Sequence, residues 1–200
     1  MKTTIILFYL LLLQGCSNSD DSFTPTLPPE TQIGANTFGC YLDSKLLTPR
    51  DGTGTFNSPD YGMSYIAGPG PIDFTYNEIS IHDYKSSTGG LLDIHITNLH
   101  QNGEGVFSIK QSNCEDNVDA NPSIHIRVRL WDKSVQAYKW YCSIENTGTL
   151  IITRYDYNNH IVSGTFNCTA QNRDDVSETI EITDGRFDIN WNSLLETKFP

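Results

Sequence analysis

The chain has 200 residues and a formal net charge of −11, with 24 acidic against 13 basic residues. Nucleic-acid affinity comes mainly from Lys and Arg on phosphates, so this balance argues against a nucleic-acid partner. The length supplies one hydrophobic core and falls short of two.

Lys2 gives the chain a positive start, and Ile5 to Leu13 is an apolar run. At about nine residues the run cannot span a ~30 Å hydrocarbon core, which takes roughly 20. It has the size of a signal-peptide core. The run ends in Leu13-Gln14-Gly15-Cys16, which resembles a bacterial lipobox: a small residue before the cut, then a cysteine whose thiol takes a diacylglycerol. Residues 1–15 therefore read as a lipoprotein signal peptide and Cys16 as the lipidation site, with the lipid as the link to a membrane. Residues 16–31 follow as a flexible tether, since Ser17 to Ser22 and the Pro-rich stretch Pro25 to Pro29 favour extended, solvated backbone. Asp20-Asp21 resembles the export tag of surface-displayed lipoproteins in Bacteroidota and fits a solvated linker equally well; the expected address is the outer membrane, with exposure at the cell surface on the first of these readings. Residues 32–200 are left as a single β-rich globular domain.

Within that domain the apolar periodicity is almost wholly two. Ile124, Ile126, Val128 and Leu130 alternate with His125, Arg127, Arg129 and Trp131, and Leu92, Ile94 and Ile96 with Asp93, His95 and Thr97. That is the signature of half-buried antiparallel strands. Further strands are predicted at 38–42, 63–67, 72–81, 106–110, 137–144, 149–156, 161–170 and 179–191. The apolar phase shifts near Asn77-Glu78, which predicts a bulge. Turn pairs separate the segments, and Asp184-Gly185 offers, as an alternative to one continuous last strand, a hairpin of 179–183 with 186–191. About ten strands in sequential hairpins mean an all-β meander, a lipocalin-like closed or flattened barrel or, alternatively, a β-sandwich.

With Cys16 set aside, Cys40, Cys114, Cys142 and Cys168 remain, an even number in an exported chain. Alternation points Cys40 and Cys168 into the core, while Cys114 falls in a polar loop and Cys142 on a face with Tyr138 and Trp140. The preferred pairing is Cys40–Cys168 with Cys114–Cys142; the alternative is buried free thiols in one or both pairs.

No catalytic signature stands out, and no cofactor or metal site is expected. The five histidines (82, 95, 100, 125 and 160) lack zinc-helix spacing. His95 and His125 fall on the face opposite the aliphatic residues, which in a filled barrel is solvent. Glu115-Asp116-Asn117-Val118-Asp119 gathers oxygen ligands that suit calcium, but without an EF-hand glycine or distal glutamate it reads better as a solvated turn. Ten aromatic residues (Tyr61, Tyr65, Tyr76, Tyr84, Trp131, Tyr138, Trp140, Tyr141, Tyr155 and Tyr157) offer either core and cross-strand pairs or surface for stacking a sugar or a small apolar ligand.

Three stretches, Leu27 to Arg50 with its Asn36-Thr37-Phe38-Gly39-Cys40, Gly148 to Asp156 followed by Ile161 to Phe166, and Ile182 to Asp188, resemble a family of uncharacterised lipoproteins of Bacteroidota. The resemblance frames the domain but leaves Asp51 to Ile144 unmatched. It implies an exported, membrane-attached β protein and transfers no catalytic residue. The leading expectation is thus a non-enzymatic binding or structural domain at the cell envelope. Two alternatives are a glycan hydrolase using carboxylates such as Asp93 and Asp188, and a carrier of a small apolar ligand.

Overall fold

In a computed structural model, which describes residues 24–68, 76–87 and 89–200, the period-two segments become strands. The signal peptide, Cys16 and the first part of the 72–81 segment lie outside the described residues. Eleven strands are described: β1 (Thr37–Leu42), β2 (Lys45–Leu47), β3 (Met63–Ala67), β4 (Tyr76–Asp83), β5 (Gly90–Thr97), β6 (Gly105–Ser108), β7 (His125–Asp132), β8 (Ala137–Ser143), β9 (Thr149–Asp156), β10 (Ile161–Asn172) and β11 (Thr179–Asn190). They form one antiparallel sheet in the order β2-β1-β11-β10-β8-β7-β5-β4-β3, with β9 beside β10 and β6 beside β9. The sheet forks at β10, whose first half pairs with β9 and whose last residues pair with β8. The whole curls into a half-barrel, and the protein is all-β.

One core fills the concave side. Ile79 and Ile81 of β4, Leu92, Ile94 and Ile96 of β5, and Ile126 and Val128 of β7 meet Phe38, Phe166, Ile182 and Phe187 from the β1-β11-β10 side. Each such side chain contributes roughly 1.5–3 kcal/mol by leaving water. Arg50 ties the two ends of the curl together. Its N–H donates to His82 O (3.0 Å), its carbonyl accepts from Tyr84 N (3.2 Å), and its guanidinium forks onto Asp83 at 2.7 Å twice.

The N-terminal segment packs on the outside of the sheet. Gly39 has no side chain because Pro28 lies where one would point, 2.6 Å from an ideal Cβ. Asp188 then gathers Thr31 Oγ1 (2.6 Å) and the N–H groups of Ile33, Gly34 and Ala35, while Ser163 Oγ donates to it at 2.7 Å. Packed chain therefore begins inside the stretch read as tether.

Several expectations change. Asp184-Gly185 makes no hairpin: β11 runs through it, with Thr183 and Asp184 opposing the single Asn167 as a bulge. Asp184 takes φ 52°, and Gly185 is required because a Cβ there would meet the Phe166 ring at 2.6 Å. Conversely, β4 pairs residue for residue with both neighbours, so no bulge interrupts it at Asn77-Glu78. The apolar phase blurs there because both faces of β4 are buried.

Cys114 and Cys142 form a disulfide, with Cα atoms 5.4 Å apart, whereas Cys40 and Cys168 are buried free thiols. Both do point into the core, but β11 stands between β1 and β10. Two strand spacings, roughly 9–10 Å, exceed the reach of a disulfide. Burial pushes the Cys168 thiol up to about 12 and raises Cys40 as well.

Candidate functional site

The register of β4, β5, β7 and β8 sets the outward side chains in rows. One row runs Glu78, His95, His125; the next Ser80, Asp93, Arg127, Cys142; the next His82, Leu91, Arg129, Trp140. His95 and His125 thus occupy the face opposite the aliphatic residues, as the alternation requires. They are nevertheless 3% and 1% exposed, not solvated as expected. The reason is the loop between β6 and β7, which folds over the first two rows and is held there by Cys114–Cys142.

Beneath that loop the polar groups satisfy one another, with one exception at His125. Arg127 Nε meets Asp93 Oδ2 at 2.7 Å, its second arm meets Asp116 Oδ2 at 2.7 Å, and Nη1 donates to Cys114 O at 3.1 Å. Burial raises the Asp93 carboxyl despite the opposing pull of Arg127 and Ser80. His95 Nδ1 lies 3.2 Å from Glu78 Oε2, which also accepts from Asn117 N at 3.0 Å. His125 Nδ1 donates to Ser123 O at 2.8 Å, while its Nε2 is buried without a partner. Burial and the neighbouring His95 depress His125 to about 4, so it is neutral in the fold at pH 7. This is a polar second core. Glu78, Asp93, His95, His125 and Arg127 are buried, and Asp116 closes the cluster from the exposed side.

The sequence-predicted sites sort accordingly. Asp93 and Asp188 do not share a cleft: β10, β8 and β7 separate their strands, roughly 19 Å along the sheet. Each carboxylate is also fully engaged, Asp93 by Arg127 and Asp188 by the N-terminal segment, so the acid–base pair envisaged for a hydrolase is not formed. In the acidic loop Asp116 pairs with the Arg127 guanidinium, and no group of three metal-ligating side chains occurs among the described residues. No family model, curated protein or solved structure matches the chain. Its own geometry must therefore carry the functional reading.

The aromatic residues divide into two open clusters. At one end of the half-barrel, Tyr65, Tyr155 and Tyr157 surround Trp191. Tyr65 stacks on its ring at 5.3 Å and 13°, Tyr155 at 6.1 Å and 26°, and His160 meets it edge-on at 5.6 Å. With Ala67 and Asn77 they line a cavity of about 260 Å³ that no Lys, Arg, Asp or Glu borders among the described residues. Burial raises the Tyr65 hydroxyl far above its usual range, with Tyr155 adding to it. Asn77 is 3% exposed, and its Oδ1 is buried with no hydrogen-bond partner.

At the other end, on the outer face beyond the loop, Tyr84, Trp131, Tyr138 and Trp140 collect around Arg129. Of the remaining aromatic candidates, Tyr76 stacks on His95 at 4.9 Å and Tyr141 donates to Glu178 at 2.7 Å. Sequence reasoning missed Trp191 and Asn77, and weighed His160 only with the other histidines as a metal or base candidate. Trp191 follows the core residue Ile189 by two, a position that extends the inward face of β11, and this was the available signal.

Proposed function

We propose that this chain is an envelope lipoprotein, held to the outer membrane through Cys16, whose β domain binds a neutral glycan at the aromatic cup around Trp191. The anchor rests on the short apolar run, the lipobox and the tether described above. The binding reading is carried by Asn77 Oδ1, an acceptor with no partner in the lining of a ring-walled cavity. A buried acceptor left unmade costs about 1–3 kcal/mol, which a ligand hydroxyl recovers. Flat aromatic rings stack the apolar face of a sugar, and the absence of ionic groups from the lining favours an uncharged one. A cavity of about 260 Å³ holds one ring rather than a chain. An apolar carrier would need a hollow interior, whereas Phe38, Ile79 and Ile126 among others fill this one.

NMR titration with neutral gluco-, manno- and xylo-oligosaccharides tests the reading. Binding should shift the Trp191 indole and Asn77 amide signals, and W191A should weaken it at least tenfold. Shifts that appear elsewhere only, or no binding from the panel, would overturn it.

A further inference from the structure

We propose that the groove beside Arg129 is a second, independent site, which takes the anionic group of an acidic sugar ring. The chain has six arginines, all within the described residues. Five have a carboxylate at ion-pair distance: Arg50 with Asp83, Arg127 with Asp93 and Asp116, Arg154 with Asp156, Arg173 with Asp174, and Arg186 with Glu30. Arg129 has none among the described residues, and its Nε is buried without an acceptor. In a chain of net charge −11, whose carboxylates outnumber its cations, that isolation points to an anion supplied from outside.

The surroundings fix the guanidinium rather than neutralise it. Its carbon lies 4.5 Å over the Tyr138 ring and 5.5 Å from Trp140, whose ring also carries Arg127 at 4.8 Å. Cation–π contacts of this kind hold the charge in a plane without consuming its donors. His82 and Tyr84, stacked at 5.0 Å and 9°, contribute further aromatic wall, and Trp131 packs edge-on against Tyr138 at 5.0 Å. Together with Ser87 they line a groove of about 380 Å³, within the size of small-ligand sites. Lys133 Nζ donates to Ser87 Oγ at 3.2 Å and brings a second cation to the rim.

Two of the three acidic groups nearby are already paired. Asp83 is held by Arg50, and Asp132 by Lys139 and Ser134. Asp60 acts on His82 and Tyr84 through its field, and its carboxylate accepts from Gly54 N at 2.9 Å. A guanidinium fork matches a carboxylate or sulfate, and the rings beside it stack the apolar face of the sugar that bears it. This groove lies on the outer face at the far end of β4 from Asn77, so the inference does not rest on the Trp191 reading.

The test is calorimetric titration of the detergent-solubilised full-length protein with oligogalacturonate and with sulfated oligosaccharides. Methyl-esterified oligogalacturonate, of the same shape but uncharged, and inorganic sulfate serve as comparators. An acidic sugar should bind at least tenfold more tightly than both comparators, R129Q should remove at least tenfold of that affinity, and R173Q should leave it unchanged. Should R129Q fail to fold, Y138A, at a half-exposed ring, should still cost threefold or more. The proposal is overturned by no binding of any acidic sugar, by an ester that binds as well as the acid, by sulfate alone matching the sugar, or by unaltered affinity in R129Q or Y138A.

Discussion

His95 and His125 lie ring on ring, 4.8 Å between centroids and 18° from parallel, on neighbouring strands of the outer face. Burial beneath the loop, and the His95 ring beside it, disfavour a proton on His125. Glu78 anchors His95, and Ser123 O orients His125 by accepting a hydrogen bond from its Nδ1–H. The face that alternation assigns to solvent has become an interior.

Acid should therefore loosen this region. His125 sits at about 4 in the fold, depressed by burial first and by His95 next, with Arg127 acting the same way and Glu78 opposing; the unfolded chain has an ordinary value of about 6.5. Between these values the unfolded state binds a proton that the folded state refuses. Stability is complete above pH ~6.5 and falls toward pH ~4, by roughly 2–3 kcal/mol from this group. Thermal melts of wild type and H125Q across that range provide the check. The variant should show a shallower decline, and parallel curves would reject the assignment.

The disulfide closes a 28-residue separation and clamps the lid of the polar core. Its loss in C142S should lower stability by about 3–4 kcal/mol on loop-entropy grounds. It should also expose the loop that carries Asp116 and Asn117 to protease. Apart from Cys16, thiol titration should find no reactive group in the native protein and two after denaturation, those of Cys40 and Cys168. Zero after denaturation would mean that these two are bonded after all.

Strand positions were legible because they depend on short-range alternation: Met63–Ala67 and Thr149–Asp156 fall where the pattern puts them. The inward direction of Cys40 and Cys168 was legible for the same reason. Their separation was not, since no local signal reveals that β11 intervenes between β1 and β10. Nor does alternation reveal a lid. A row such as Glu78, His95, His125 looks identical whether water or a stapled loop covers it. The Asp184-Gly185 pair carried a hairpin's chemistry, but Phe166 packing on Gly185 turned it into a bulge. At the sites, the aromatic residues were visible as a class; their division between Trp191 and Arg129 depends on the curl of the sheet.

Asp188 is the clasp that fastens the N-terminal segment. Burial works against its ionisation, but the Thr31 and Ser163 hydroxyls and the Ala35 and Gly34 N–H groups outweigh that and hold its carboxyl below the usual range. D188N keeps the shape and removes the charge that draws these donors together. Hydrogen bonds to charged groups are worth about 1.5–3 kcal/mol each, partly recovered from water, so a loss of about 2–4 kcal/mol is expected. Limited proteolysis should then cut between Thr31 and Ala35 while β1 to β11 stay protected. Equal resistance in wild type and D188N would show that Pro28 packing on Gly39 suffices.

The anchor is tested by removing a single sulfur. In the proposed arrangement the thiol of Cys16 carries the lipid, and a domain of net negative charge gains nothing electrostatically from an anionic bilayer surface. Attachment should then depend on acyl chains alone, each buried methylene adding about 0.8 kcal/mol. C16S should move the protein from the membrane fraction to the soluble one and abolish incorporation of labelled palmitate, with its thermal melt unchanged. A C16S protein that still sediments with membranes would place the attachment elsewhere. The aromatic ends of the half-barrel would then be the first surfaces to examine for direct contact with lipid.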